Sequence, residues 1–322
     1  MPPTFFLALS TALLALGSVL AKGLLGGGLG TDLPPVAPLP FLVCQLAGSL
    51  ALLAMLCKVQ GDGFAVGTSA RVLHVAGGVV GLGAIGTILA LSFMPVGEAS
   101  VVFATQPIVI LLLARMLLGE PLTVRAFALS SVAVLGVVTI LGGAAAGSAT
   151  DRPLGVAFAA LTTVAAAVYV VWMRQVSSVT RPLPALLRVQ TVALVIAALA
   201  WIGGDLLGRG AAGLPSISSA LAAAGTGAIY YGLAFYVYLL GLAHVEAGRA
   251  GAFLNLVPVF TIGLAFVLLG ERLTTAQWIG SGVVLGAVLA LGRGGARRRQ
   301  GGAAAEGQLG SIRGAARRSE AG

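Results

Sequence analysis

Two prolines 151 residues apart lie in long apolar runs with polar side chains beside them: Thr105 and Gln106 precede Pro107, and Asn255 lies three residues before Pro258. A proline within a helix has no N–H to give and clashes with the carbonyl four residues back, which frees Phe103 and Leu254 as acceptors. In hydrocarbon, a freed carbonyl persists only where another group takes it up or where it lines a wet cavity. Pro107 and Pro258 are therefore either simple kinks or the wall and hinge of a cavity. The amides pose the same choice, because a buried amide without a partner is costly. Gln106 and Asn255 either bridge helices, at about 0.6 kcal/mol each, or meet polar groups of a bound small molecule.

A second group is aromatic. Tyr230, Tyr231, Tyr236 and Tyr238 share one apolar run, and Tyr231, Phe235 and Tyr238 fall at i, i+4 and i+7, one helical stripe. Thr162 and Tyr169 share a face of another run by the same spacing. Together they read as an aromatic wall around a mostly apolar pocket. None of the Asp or Glu residues falls at the centre of an apolar run, which argues against proton coupling through a mid-membrane acid. Glu98 and Glu246, near the starts of two such runs, are candidate gates. Arg115 is the one cation near a run's interior, a turn from its end, and a phosphorylated cargo would want more. Neutral, zwitterionic or cationic-amphipathic small molecules fit better.

Other chemistry is poorly supplied. There is no H-E-x-x-H, no nucleophile elbow and no paired acid within a run, so no enzyme is expected. Cys44 and Cys57 share one run and would stand ~20 Å apart on a helix, beyond disulfide reach. No metal-ligand set and no cofactor motif accompanies them. Gly81, Gly83 and Gly86 match dinucleotide-loop spacing but sit within an apolar run with no preceding strand, where close helix packing accounts for them.

The elements that must hold these residues follow from composition. Of 322 residues, 58% are hydrophobic and 9% charged, and mean hydropathy is +1.03. A soluble domain needs roughly a quarter of its residues charged, so lipid must be the solvent. Ten apolar segments reach the ~20 residues that cross a bilayer: 5–25, 37–57, 71–93, 97–118, 123–143, 153–173, 183–203, 217–242, 247–269 and 274–292. With the N-terminus in the cytoplasm, alternation places fifteen of the nineteen basic residues on the cytoplasmic side. The positive-inside rule then predicts an inner (plasma) membrane protein with both termini cytoplasmic. The net charge of +9 comes largely from the arginine-rich tail, a topology signal rather than a nucleic-acid site.

The chain also repeats itself. Residues 97–140 align without gaps on 248–291, with 14 of 44 positions identical. Matches include Pro107 with Pro258, Leu117-Leu118-Gly119-Glu120 with Leu268-Leu269-Gly270-Glu271, and Leu122-Thr123 with Leu273-Thr274. Five predicted helices separate the copies, an odd number, so the copies face opposite sides of the membrane. Such inverted repeats accompany alternating access. The two hairpins resemble the end of an EamA domain, the repeat unit of the drug/metabolite transporter superfamily. That resemblance implies ten helices as two inverted five-helix repeats around a central cavity, and export of amino acids, related metabolites or drugs.

The domain organisation that follows is a first five-helix repeat over 1–143, a linker over 144–152, a second repeat over 153–292 and a disordered basic cytoplasmic tail over 293–322. The expected partners are a small-molecule substrate and the lipid bilayer. A non-transporting receptor or scaffold, and an uptake permease of the same fold, are the competing readings.

Overall fold

The structure, a computed structural model, describes residues 2–26, 36–61, 70–93, 99, 102–141, 151–177, 180–206, 215–269 and 274–291. Glu98, Glu271, the 144–150 stretch and the 293–322 tail lie outside the described residues.

Ten helices and no strand occur among the described residues. They are α1 (Pro3–Gly26), α2 (Pro38–Gln60), α3 (Ala70–Phe93), α4 (Gln106–Leu118), α5 (Val124–Leu141), α6 (Arg152–Ser177), α7 (Pro182–Leu206), α8 (Ile217–Leu242), α9 and α10 (Thr275–Leu291). The ninth is in two pieces, α9a (Ala247–Phe253) and α9b (Leu256–Leu269). Six of the ten are long and apolar enough to cross a membrane: α1, α2, α6, α7, α8 and the stretch Ala247–Leu264 of α9. Shorter apolar helices occupy Arg71–Thr87, Gln106–Leu118, Val124–Ile140 and Thr275–Leu291.

Local chemistry sets the ends. Pro38 opens α2, where its missing N–H would have had no helical partner anyway. Gly61, at φ 66°, closes it by turning its N–H onto the carbonyls of Cys57 and Lys58. Ser216 caps α8, its hydroxyl accepting the Ser219 N–H at 3.1 Å. Lipid-facing apolar side chains such as Leu82, Leu135, Leu199 and Leu221 stay exposed, as a bilayer solvent requires.

The first five helices find their main neighbours among the last five. α1 packs on α8 and α9b, α2 on α7 and α8, α3 on α6 and α7, and α4 on α6 and α9a. The α2–α8 crossing is the closest: a Cβ on Gly48 would collide with the Ala224 carbonyl, and one on Gly227 with the Gln45 carbonyl. Only glycine permits that approach, a packing device typical of helices in lipid.

Two helices depart from regular geometry. α8 winds as a π-helix over Ala228–Ala234, a form that concentrates at functional sites. The sequence reading placed Pro107 and Pro258 near the middles of continuous helices, and the structure corrects it. Each helix is interrupted by a turn just before its proline, at Ala104–Thr105 and at Leu254–Asn255. Pro107 and Pro258 thus belong to the first turn of α4 and α9b, where proline costs little. The Leu254 carbonyl is not left free, since it accepts the Val257 N–H at 3.0 Å.

Candidate functional site

The break ahead of α4 is closed by Thr105. The Val102 carbonyl accepts the Thr105 N–H at 3.1 Å and the Thr105 hydroxyl at 2.7 Å, while the Thr163 hydroxyl of α6, 3.5 Å away, makes its shorter bond to the Ala159 carbonyl of its own helix at 2.9 Å. Thr105 therefore spends its proton on its own turn. Gln106 begins α4 half-buried, and Pro107 beside it is buried.

The break in α9 is closed by backbone alone, through Leu254 to Gly251 at 2.9 Å and Asn255 to Ala252 at 3.3 Å. Asn255 is 2% exposed, and its Nδ2 has no hydrogen-bond partner among the described residues. A buried donor in that position costs about 1–3 kcal/mol unless something outside the chain accepts from it. The helices carrying the two breaks run antiparallel in contact. A Cβ on Gly248 would meet Leu111, and one on Gly251 would meet Ile110.

The π segment of α8 gathers the aromatic residues. Tyr231 stands 4.8 Å from Tyr230, edge to face, and 5.8 Å from Phe235. Phe235 in turn lies 5.8 Å from Tyr169 of α6. Tyr169, Tyr231 and Phe235, singled out from spacing alone, thus share one cluster with Tyr230. The hydroxyls of Tyr169 and Tyr238 are buried and unpartnered among the described residues.

Thr162 goes elsewhere. Its hydroxyl donates to the Gly83 carbonyl of α3 at 3.1 Å, seating α6 on α3 rather than joining the rings. Glu246 is half-buried ahead of α9a, where its side chain caps nothing and its carbonyl accepts the Ala250 N–H at 2.9 Å.

Sequence reasoning passed over several polar groups. Gln190, fully buried in α7, donates through Nε2 to the Tyr231 carbonyl at 3.1 Å, taking up an acceptor of the π segment. Its Oε1 has no partner among the described residues. Gln45 donates to the Thr226 hydroxyl at 3.1 Å, joining α2 to α8. An amide alone in an apolar run was the available signal for both, the same one that drew notice to Gln106. Among the described residues no three His, Cys, Asp or Glu side chains group to hold a metal. Cys44 and Cys57 are not joined in a disulfide.

The aromatic cluster offers rings and spare amide and hydroxyl groups, and the α9 break a spare amide; none of these described side chains carries a formal charge. That chemistry suits a small molecule with an apolar body and a polar head. Residues 153–293 match the EamA-like transporter family. An uncharacterized transporter of Archaeoglobus fulgidus is 29% identical over 199 residues, which make up 59% of this chain and 65% of that protein. A probable terminal-alkyne amino-acid exporter of Streptantibioticus cattleyicolor is 46% identical over 70 residues, 20% of this chain and 24% of the exporter. The matched span is under two thirds of either relative's length. A solved crystal structure shares the fold, with a TM-score of 0.71 at 24% identity over 88% of this chain and 96% of its own.

Proposed function

We propose that this chain, an EamA-type multi-pass membrane transporter of the drug/metabolite transporter superfamily, exports a small neutral or zwitterionic metabolite by alternating access. All ten helices cross the inner membrane on this reading, both termini are cytoplasmic, and α1–α5 and α6–α10 are inverted halves around a central passage. An amino-acid-like cargo is favoured by the likeness to a protein named as an amino-acid exporter.

The observation that carries the reading is the unpartnered Nδ2 of Asn255 at the break in α9. Backbone that leaves the helical ladder inside a membrane protein is tolerated where it borders protein or a wet passage. Helices broken at mid-depth build the binding sites of secondary transporters. Asn255 Nδ2 is a donor for a carboxylate or carbonyl of the cargo. Gln190 Oε1 is an acceptor for its amino or hydroxyl group, and Tyr169, Tyr231 and Phe235 pack its apolar part. Rocking the halves about the two breaks would expose the passage alternately.

The test compares extracellular metabolites of cells expressing the wild type with those expressing Asn255→Ala. Accumulation of one compound class outside wild-type cells alone identifies the cargo. Identical profiles at confirmed expression would remove export and promote the uptake or scaffold reading.

A further inference from the structure

The Gly-Glu pair that ends α4 does work at a distance. Gly119, at φ 66°, turns the chain out of the helix with its N–H on the Ala114 carbonyl. The Glu120 N–H bonds the same carbonyl at 3.2 Å. That left-handed residue aims the Glu120 side chain across to α9a. Its Oε1 accepts the Ala247 N–H at 3.0 Å and its Oε2 the Gly248 N–H at 3.4 Å. Arg174, in the last turn of α6, brings Nε to 3.9 Å from Oε1. Its Nη1 donates to the Ala243 carbonyl beyond α8 at 3.2 Å. One carboxylate and one guanidinium thus tie together the ends of α4, α6 and α8 and the start of α9a. The side chains are 16% and 25% exposed, so water screens the pair only partly.

We propose that Glu120 is a positioning residue of the transport cycle, clasping one edge of the passage shut until its contacts to Ala247 and Gly248 release. Of the four elements joined, only α4 belongs to the first half, so the two halves cannot part at this edge while Glu120 holds α9a. The same contact fixes the helix piece that ends at Asn255. On the proposed orientation this is the cytoplasmic edge, and the conformation described here is closed on that side. The inference rests on the transporter reading, and its test needs no cargo.

In full-length protein with Cys44→Ala and Cys57→Ala, two reporters are made separately: Ala250→Cys in α9a and Ala197→Cys in α7, both sites fully buried. A membrane-impermeant maleimide is applied to Ala250→Cys in inside-out vesicles and to Ala197→Cys in right-side-out vesicles. Glu120→Gln loses the charge of its acceptor, and labelling at position 250 rises about tenfold while labelling at 197, fully buried, stays low. Arg174→Gln raises labelling at 250 by less and leaves 197 low. Increases at both positions would mean a loosened fold and overturn the clasp, as would unchanged labelling in both variants or loss of both from the membrane. Shifted labelling with unchanged metabolite profiles would sink the export reading and leave the clasp standing.

Discussion

The two broken helices carry matched prolines and settle the polar cost of the break differently. Ahead of α4, one carbonyl, that of Val102, takes up both the N–H and the hydroxyl of Thr105. In α9, backbone bonds close the turn and the Asn255 amide keeps an unused donor. The first break is complete within the protein, while the second is complete only with an acceptor from outside. Matched positions in a repeated sequence can therefore share a backbone and divide the labour, one serving as frame and the other as contact.

The sharpest way to break this comparison is Asn255→Ala. A hydrogen bond to a charged cargo group is worth about 1.5–3 kcal/mol, so flux falls by about tenfold or more. Because the variant deletes an unmet donor, its melting temperature in detergent without cargo holds or rises. A lower melting temperature with the lost flux would make Asn255 a packing group. Gln106→Ala, half-exposed and at the framed break, lowers flux by only about threefold, corresponding to roughly 0.7 kcal/mol. Equal losses at both positions in a flux assay would erase the division of labour. Thr163→Val is the mildest: the hydroxyl lost bonds its own helix at Ala159 and only brushes Val102, so a loss of about 0.6 kcal/mol or less lowers the melting temperature by roughly 1 °C. Flux changes little, and a loss matching that of Asn255→Ala would put the α4 break in the contact role.

Much of the frame was legible because hydrocarbon permits few alternatives. Each of the ten apolar segments contains a helix, since a backbone without water must bond to itself. The clustering of Tyr169, Tyr231 and Phe235 followed from helical spacing plus the parallel packing of α6 and α8, whose C-terminal ends meet at Arg174 and Ala243. The π segment was not legible, because its extra residue is held by Gln190 from another helix. Thr162 and Tyr169 do share a stripe of α6, but the stripe is long enough to meet α3 at one end and α8 at the other. Glu120 was seen as half of a repeated motif and not as a contact. Its partners are main-chain groups 127 and 128 residues away, which no pattern of side chains announces.

That last feature fixes how the clasp can vary. Its acceptor is one named side chain, but its donors are peptide groups that every residue except proline carries. Mutational drift at positions 247 and 248 is therefore checked by volume alone, since both are buried and Gly248 lies against Leu111. Identity is demanded on one side of the contact only. A random change that opens this edge has one obvious target, Glu120, whereas its main-chain partners at 247 and 248 withstand any exchange that leaves the N–H and the space intact.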